Sequence, residues 1–489
     1  MKKNVRTRFA PSPTGYLHIG GLRTALYNFL YARKYGGQFY IRIEDTDQKR
    51  VVAETEKQML ESLHWAGIMP DEGVGLDQQG NIVETGEYSP YFQSKRLKIY
   101  QDYAHQLVQE RRAYYCFCSP ERLEELRERQ NAQKKAPAYD KYCLREVPRI
   151  TAEKRIKNEE EFVIRFDVPE TGETEFEDEV RGKIKFANKN LDDFVILKSD
   201  GFPTYHLAHV VDDHLMKTSL VLRAEEWLPS TPKHLLLFEA LRWNPPKYGH
   251  LCVILNKDTK KKLSKRDGDV SVQDFGGNGY LPEAVINFIA LLGWNPKTER
   301  ELFTLPELIN EFELKNLNKA GAIFDIEKLN WMNGLYIRKK SVSKLAKLCE
   351  PYLAQKGVVV DAKFLEKILT VEKERLKTLA DISMSIEFYV KKPDYEPKLL
   401  LWKKMTESEL KKSLQIAKDV FAGIPEENWQ IETIKEKLLA AADPQNRGEL
   451  LWPARVALTG REKSPPPFEV AWVIGKTETV RRIDLALAH

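Results

Sequence analysis

The sequence has few cysteines and no long hydrophobic run. Five cysteines among 489 residues is an odd number, which argues against a disulfide framework and favours a reducing compartment, the cytoplasm. No stretch reaches the roughly 18–20 apolar residues that a membrane span needs, so no membrane association is expected. The first nine residues lack the hydrophobic region of a secretory signal, and we expect none.

Neither sign of charge dominates the composition. The net charge is +5 and the isoelectric point is about 8.6, which is compatible with a polyanionic partner. A solvated surface with a small excess of lysine explains the same numbers equally well. The length of 489 residues predicts roughly three domains of about 150 residues each.

The first 45 residues predict a strand, a helix and a second strand. Residues 5–9 form the first strand candidate, and Pro and Gly follow it. Leu22, Leu26, Phe29 and Leu30 then lie on one helical face before Gly36-Gly37. Residues 39–44 alternate apolar and polar, which predicts a strand with one buried face. A β-α-β unit of this kind favours a parallel sheet and the α/β class.

Later parts of the chain have different patterns. Residues 71–90 are rich in Gly, Asp and Gln and read as a polar loop. Residues 116–190 change to a charged helix and short strands, which indicates an insertion in the sheet domain. The α/β pattern returns up to about residue 255. After about residue 280 the spacing of apolar residues predicts helices almost throughout.

Two stretches carry residues suited to phosphate chemistry. His18-Ile19-Gly20-Gly21 lies between the first strand and the first helix, where a helix N-terminus favours phosphate. The second stretch contains five cations within residues 260–266, and such a loop can stabilise charge on a leaving pyrophosphate. By itself, the first motif is more often a turn with an incidental histidine, and the second a solvated basic run.

Together, the two motifs resemble the paired HIGH and KMSKS motifs of class I aminoacyl-tRNA synthetases. Further segments resemble bacterial glutamyl-tRNA synthetases in particular, and the resemblance covers essentially the whole chain. These segments read Arg-Thr-Arg-Phe-Ala-Pro-Ser-Pro-Thr-Gly (6–15), Ile-Arg-Ile-Glu-Asp-Thr-Asp (41–47), Asp-Gly-Phe-Pro-Thr-Tyr-His-Leu-Ala-His-Val-Val-Asp-Asp-His (200–214), Leu-Arg-Ala-Glu-Glu-Trp (222–227) and Phe-Asp-Ile-Glu-Lys-Leu-Asn-Trp-Met-Asn-Gly (324–334).

The resemblance implies an ordered set of domains. A Rossmann-like parallel-sheet catalytic domain would occupy residues 1–115 and 191–275, interrupted by an inserted acceptor-end-binding domain at 116–190. A stem-contact region would follow at 276–325, and a helical anticodon-binding domain at 326–489. The implied reaction activates L-glutamate with ATP and Mg²⁺ and loads it onto tRNA(Glu). The protein is expected to act as a cytoplasmic monomer.

The resemblance also implies the site residues. Glutamate-binding counterparts are Arg8, Ser12, Glu44, Tyr205, His209 and Arg223. Two arginines suit a carboxylate side chain, because a planar guanidinium pairs with it in bidentate fashion. His209 stands where this family commonly has asparagine, so its hydrogen bond is not defined by the resemblance.

Counterparts for ATP and tRNA follow from the same motifs. His18, Lys262 and Lys265 are the expected catalytic groups on the phosphates, and ATP-binding counterparts are His18, Gly20, Gly21, Glu226, Trp227 and Lys265. Arg375 aligns with a position implicated in anticodon discrimination, although its local sequence reads as an exposed helix arginine.

Cys116, Cys118 and Cys143, with Tyr139, form a candidate zinc site in the insertion. Thiolates suit tetrahedral zinc, and a phenolate could complete the set. Some relatives place a histidine where this chain has Arg145, which cannot bind a metal. Buried thiols without a metal explain the pattern about equally well.

Other functions fit parts of the sequence. A glutamine-specific synthetase would carry β-barrel anticodon domains, whereas this C-terminal half reads as helical. A truncated paralogue that modifies a tRNA base would lack that half, and a small nucleotidyltransferase would leave it unexplained. A non-catalytic tRNA-binding paralogue would typically lose one of the two motifs, and both are intact. Whether tRNA(Gln) is also charged stays open.

Overall fold

The computed structural model describes residues 5–50, 52, 54–264 and 271–488, without the side chain of Arg50. The chain divides into two compact units. The first comprises residues 1–275 and 285–325, and the second comprises residues 276–284 and 326–489. No helix in the described ranges has the length and apolar character that crossing a membrane requires.

The strands belong mainly to the first unit. In chain order they are β1 (Arg6–Phe9), β2 (Gln38–Ile41), β3 (Glu72–Leu76), β4 (Ile82–Thr85), β5 (Ala113–Cys116), β6 (Val163–Phe166), β7 (Glu173–Asp178), β8 (Gly182–Ala187), β9 (Val195–Leu197), β10 (Leu220–Ala224), β11 (Lys247–Leu251), β12 (Ile254–Asn256) and β13 (Ala322–Phe324).

The helices of the first half are α1 (Ile19–Lys34), α2 (Thr55–Trp65), α3 (Leu97–Gln109), α4 (Pro120–Ala132), α5 (Tyr142–Glu146), α6 (Arg149–Lys157), α7 (Tyr205–Leu215), α8 (Thr231–Ala240), α9 (Val272–Gly277), α10 (Pro282–Leu291) and α11 (Leu305–Glu311). Those of the second half are α12 (Ile326–Arg338), α13 (Val342–Gln355), α14 (Ala362–Glu372), α15 (Ile382–Ser385), α16 (Glu387–Val390), α17 (Glu407–Gly423), α18 (Ile431–Ala441), α19 (Gly448–Thr459), α20 (Pro467–Ile474) and α21 (Lys476–Leu487).

The predicted β-α-β unit is confirmed. Strand β1 pairs with β2 in parallel, and α1 connects them. The sheet continues through β3, which is parallel to β2, to β4, which is antiparallel to β3. A second sheet has the order β10-β11-β7-β8. The two sheets meet edge to edge, because the N–H of Ser219 donates to the carbonyl of Arg6 at 2.9 Å. The carboxyl ends of β1 and β10 therefore lie side by side.

Residues 71–90 do not form only a loop, so that prediction is wrong. They contain the hairpin of β3 and β4, closed by a turn in which Asp77 accepts from the N–H groups of Gln79 and Asn81. Gly73 has a φ of +100°, and a Cβ there would lie 2.2 Å from the carbonyl oxygen of Ile41. The backbones approach so closely that glycine is required, and the strand consequently lacks a normal apolar pattern.

The prediction that residues 39–44 bury only one face is also wrong. Tyr40 and Arg42 are fully buried, as are Phe39 and Ile41. Both faces of this parallel sheet are covered, which is usual for α/β proteins.

The second half of the chain is helical, as its spacing predicts. Beyond residue 280, β13 is the only strand in the described ranges, and it pairs in parallel with β12 inside the first unit. The α/β class with a helical C-terminal half is therefore confirmed. The domain boundaries themselves stay a prediction. Strand β6 lies within the predicted insertion at 116–190, but it pairs with β5, which begins before residue 116, and with β9, which lies after residue 190.

Candidate active site

A cavity of about 1370 Å³ opens at the carboxyl ends of β1 and β10 and at the start of α1. In α/β proteins, ligands bind at this end of the strands. Most of the predicted site residues line it, namely Arg8, Ser12, His18, Gly20, Gly21, Glu44, Tyr205, Arg223, Glu226, Trp227 and Lys262. Residues from five distant stretches are thus brought to one site.

The N-terminus of α1 forms one end of the cavity. His18 is the N-cap residue, and its Nδ1 accepts from the N–H of Gly20 at 3.1 Å. The first turn contains no acidic residue, so nothing there opposes the positive end of the helix dipole. A Cβ on Gly21 would lie 2.9 Å from Cδ1 of Leu17. The arrangement suits an anion such as phosphate.

Lys262 and Glu226 lie at the edge of this end. The ammonium of Lys262 donates to Oε2 of Glu226, and both side chains are more than half exposed. An ion pair this exposed contributes little free energy, so a phosphate can compete for the lysine. Lys265 lies outside the described residues, so the distance between Lys265 and His18 stays untested.

A buried network of charges supports the opposite end. Arg42 donates to Oδ1 of Asp213 at 2.8 Å and to Oε1 of Glu44 at 2.9 Å. Arg8 reaches the same Asp213 oxygen at 3.2 Å. Burial alone would raise the pKa of Asp213, but Arg8 and Arg42 outweigh it and lower the pKa. Burial raises the pKa of Glu44 despite Arg42. Two arginines and two carboxylates therefore hold one another in place.

Arg223 differs from these arginines because no carboxylate in the described part of the chain contacts it. It is 5% exposed, and its guanidinium donates to Tyr205 Oη at 3.0 Å, Thr231 Oγ1 at 2.9 Å and His250 Nε2 at 3.0 Å. Among the residues that the structure describes, its remaining contacts are also neutral: His234 Nδ1 at 3.3 Å and the carbonyl of Trp227 at 3.3 Å. A buried charge without a counterion is costly, so this position is prepared for an anion.

Tyr205 and Trp227 form the wall beside Arg223. Their ring centroids lie 4.3 Å apart. Ser12 is exposed in the loop after β1, and the N–H of Glu44 donates to the carbonyl of Pro11 at 2.9 Å. This bond keeps the loop next to the end of β2.

His209 does not line the cavity. It is fully buried, with its ring 5.3 Å from that of Tyr205 and its Nδ1 3.5 Å from Arg8. Burial, followed by Arg223 and Arg8, lowers the pKa of His209 well below its usual value. His209 thus contacts Tyr205 and Arg8, which line the cavity, without lining it itself, and its role as a substrate contact stays a prediction.

Three residues of the site escaped sequence reasoning. Arg42 follows an apolar residue in an alternating strand and reads as solvent-facing, although it is fully buried. Asp213 lies within a matched segment without an evident partner. His250 carries no local signal at all. The only local signs of the first two were a charged residue directly after β2 and an aspartate within α7.

The cysteine cluster is present in the first unit. The sulfurs of Cys116, Cys118 and Cys143 all lie within 4.8 Å of one another, and Tyr139 Oη is 3.4 Å from two of them, those of Cys116 and Cys118. A hydrogen bond from Cys143, opposed by burial and aided by Tyr139, lowers the pKa of Cys116 below its usual value. Arg145 pairs with Glu170 at 2.8 Å on the surface.

Arg375 lines a separate cavity of about 340 Å³ within the second unit. Arg455, Arg461 and Lys463 also line it, with Glu372 and Phe388. Arg375 is 3.8 Å from Glu469 and about half exposed. With Glu372 and Glu462 as its two acidic residues, the lining has a net positive charge.

Comparisons with known proteins agree along the whole chain. The family model for "tRNA synthetases class I (E and Q), catalytic domain" matches residues 4–331, and the model for "Anticodon binding domain" matches residues 344–487. The glutamate–tRNA ligase of Alkaliphilus metalliredigens is 44% identical over 496 residues, which cover 100% of this chain and 99% of that protein. The enzyme of Clostridioides difficile is 42% identical, covering 98% of each chain.

A solved structure agrees as well. The crystal structure of a glutamate tRNA ligase from Elizabethkingia meningosepticum, in complex with its amino acid, has a TM-score of 0.89 and 36% identity, and the match covers 99% of each chain. The structural match therefore includes both units of the chain. The protein therefore belongs to the glutamate–tRNA ligases, a family of class I aminoacyl-tRNA synthetases.

Proposed function

We propose that the cavity of the first unit binds glutamate at its Arg223 end and ATP at the N-terminus of α1, and that it joins them as glutamyl-adenylate. The observation that carries this proposal is one cavity lined both by a buried arginine without a counterion and by a helix N-terminus without acidic residues. The first suits a carboxylate and the second a phosphate.

At the glutamate end, the side-chain carboxylate and the α-ammonium of the amino acid each have a partner of opposite charge. Arg223 and Arg8 bind the side-chain carboxylate, and Glu44 receives the α-ammonium. Ser12 and Tyr205 supply hydroxyl groups. Arg8 is held by Asp213, whereas no described carboxylate contacts Arg223 directly, so Arg223 contributes the charge that is free for the substrate. This charge favours a carboxylate over the amide of glutamine.

At the ATP end, the residues act on the phosphates. His18, Gly20 and Gly21 bind phosphate at the start of α1, Lys262 and Lys265 stabilise the leaving pyrophosphate, and Glu226 and Trp227 contact the remaining part of the nucleotide. An oxygen of the α-carboxylate attacks the α-phosphorus of Mg²⁺-bound ATP, and pyrophosphate leaves. A hydroxyl of the 3′-terminal adenosine of tRNA then attacks the carbonyl carbon, and AMP leaves. Catalysis consists of positioning and charge stabilisation.

Glutamate-dependent exchange of pyrophosphate into ATP tests the first step. Glutamate-specific family members usually need tRNA before activation, so the assay is run with and without tRNA(Glu). Exchange that requires glutamate supports the proposal. Absence of exchange in both conditions contradicts it.

The same protein can be tested for its choice of tRNA. We propose tRNA(Glu) as the substrate, with tRNA(Gln) as the second candidate. Aminoacylation of the two purified tRNAs with labelled glutamate, side by side, distinguishes an enzyme that discriminates between them from one that charges both.

We propose that the second unit reads the anticodon. The basic cavity with Arg375 supports this role, because arginine guanidinium groups stack on and hydrogen-bond to unpaired bases. Residues 116–190 would bind the acceptor end, 276–325 the stem, and 326–489 the anticodon. The variant Arg375→Ala is expected to raise the KM for tRNA without changing the KM for glutamate.

We propose that Cys116, Cys118 and Cys143 hold a structural zinc ion, with Tyr139 as the fourth ligand. The close approach of the three sulfurs supports this proposal. Zinc would crosslink this region and take no part in the transfer reaction. The competing explanation is a metal-free thiolate, since Arg165 Nε donates to the Cys116 sulfur at 3.3 Å. We further propose that the enzyme is a cytoplasmic monomer. Sedimentation of the purified protein would test the oligomeric state, and cell fractionation the location.

A further inference from the structure

A buried pair of side chains lies behind Arg223, outside the residues assigned so far. Oδ2 of Asp178 is 2.6 Å from Nδ1 of His250, and the opposite ring nitrogen, Nε2, accepts from Nε of Arg223 at 3.0 Å. Asp178 is 2% exposed and His250 is fully buried. The three residues thus form a line from a carboxylate, through an imidazole, to the guanidinium that lines the cavity.

The hydrogen bonds define the protonation of the imidazole. A carboxylate beside Nδ1 requires a proton on Nδ1, which leaves the lone pair of Nε2 for Arg223. Burial is the main cause that lowers the pKa of His250, and Asp178 only partly opposes it. The ring is therefore neutral, with its two nitrogens in opposite roles.

Asp178 is itself firmly anchored. Its Oδ1 accepts from the backbone N–H groups of Val180 at 3.0 Å, Arg181 at 2.9 Å and His250 at 3.3 Å. It ends β7, where β7 pairs with β11 at Tyr248. The orientation of the imidazole is consequently determined by the sheet.

This geometry solves a problem that the site poses. The guanidinium of Arg223 must stay charged and must be oriented towards the substrate. A carboxylate in direct contact with it would neutralise the charge that binds the substrate. Asp178 provides negative charge at the distance of one imidazole ring, while His250 directs Nε of the guanidinium away from the cavity. Metal ligands and catalytic histidines are oriented by partners in the same manner.

We propose that Asp178 and His250 are positioning residues that orient Arg223 for the side-chain carboxylate of the amino acid substrate. This inference rests on the proposed function of Arg223 as the carboxylate ligand. It assigns a role in amino-acid affinity to two residues that do not themselves line the cavity.

Two amide variants of the full-length protein separate positioning from packing. In His250→Asn, the amide nitrogen takes the place of Nδ1 and still donates to Asp178, but Nε of Arg223 loses its acceptor. In His250→Gln, the amide oxygen reaches the place of Nε2 and retains that acceptor. His105→Asn, at a histidine that contacts Tyr115 outside the cavity, is the control.

Steady-state aminoacylation of tRNA(Glu) supplies the readout. His250→Asn is expected to raise the KM for glutamate about tenfold, equivalent to about 1.4 kcal/mol, with the KM for ATP unchanged. His250→Gln is expected to remain within about threefold of the wild type for glutamate, and His105→Asn to match the wild type. These values would support an orienting role.

Other results would overturn the inference. One is a folded His250→Asn protein with the wild-type KM for glutamate. Another is an equal increase of the KM for glutamate and for ATP in both variants, which indicates packing alone. If His250→Asn does not fold, Asp178→Asn gives the same test: an increase of at least about threefold in the KM for glutamate supports the proposal, and an unchanged value overturns it. Failure of the proposed function is distinct, because the wild type itself would then lack glutamate-dependent activity.

Discussion

Replacing Arg223 by glutamine tests the role of its unneutralised charge. The substitution keeps a polar side chain but removes the cation that faces the cavity. A hydrogen bond to a charged group contributes about 1.5–3 kcal/mol, and two charges at about 4 Å interact by about 4 kcal/mol near a protein surface. Since no described carboxylate neutralises Arg223, we expect a loss of about 3–4 kcal/mol in glutamate affinity. This corresponds to an increase in KM of roughly 150- to 1000-fold.

The assay is steady-state aminoacylation of tRNA(Glu) across a range of glutamate concentrations. The KM for ATP should change little, because the α1 end of the cavity is untouched. Arg242→Gln is the matched control, since the side chain of Arg242 is 82% exposed and lies outside the cavity. A folded Arg223→Gln protein whose KM for glutamate stays within about threefold of the wild type would refute the reasoning.

The remaining predictions concern three other features. Asp213→Asn leaves two buried arginines without a shared counterion, and should lower the free energy of urea unfolding by about 3–5 kcal/mol. The pKa of Asp213 is lowered in the fold, so its contribution to the free energy of unfolding is complete above the pKa of an unfolded aspartate, about 3.9, and is lost as the pH falls through the folded pKa. The stability of Asp213→Asn should therefore fall less steeply at acid pH than that of the wild type. An equally steep fall would contradict this. Lys262→Ala should slow pyrophosphate exchange about 10- to 100-fold with nearly normal stability, whereas Lys261→Ala, outside the cavity, should not; equal effects would exclude a specific phosphate contact. Cys143→Ser should abolish stoichiometric zinc in elemental analysis of the purified protein while Cys349→Ser retains it, and a metal-free wild type would favour the thiolate explanation.

The sequence predicts the fold well where local patterns and tertiary structure agree. The apolar spacing of α1 and its flanking strands identified the parallel unit, because that unit is built from neighbouring residues. The β3–β4 hairpin was not predicted. Glycine is required at position 73 because the backbone there lies close to that of Ile41, a contact between residues distant in sequence.

Prediction of the site depended on motifs rather than on physical pattern. The cavity is lined by residues from five stretches, and no spacing rule relates them. Arg42 shows the limit clearly: alternation places it on a solvent face, whereas a second layer of structure covers it completely.

The amino-acid sequence likewise does not distinguish the surroundings of Arg8 from those of Arg223. Both lie within buried strands, yet Asp213 neutralises Arg8, whereas the described residues that contact Arg223 are neutral. Only the three-dimensional arrangement shows which of the two guanidinium groups has no carboxylate in direct contact among the described residues.

A crystal structure of the protein with a non-hydrolysable glutamyl-adenylate analogue tests the central claim most directly. We expect the side-chain carboxylate of the analogue within hydrogen-bonding distance of the Arg223 guanidinium, and its phosphate mimic beside the first turn of α1. An analogue bound in this cavity with its carboxylate turned away from Arg223, or bound elsewhere on the protein, would contradict the account.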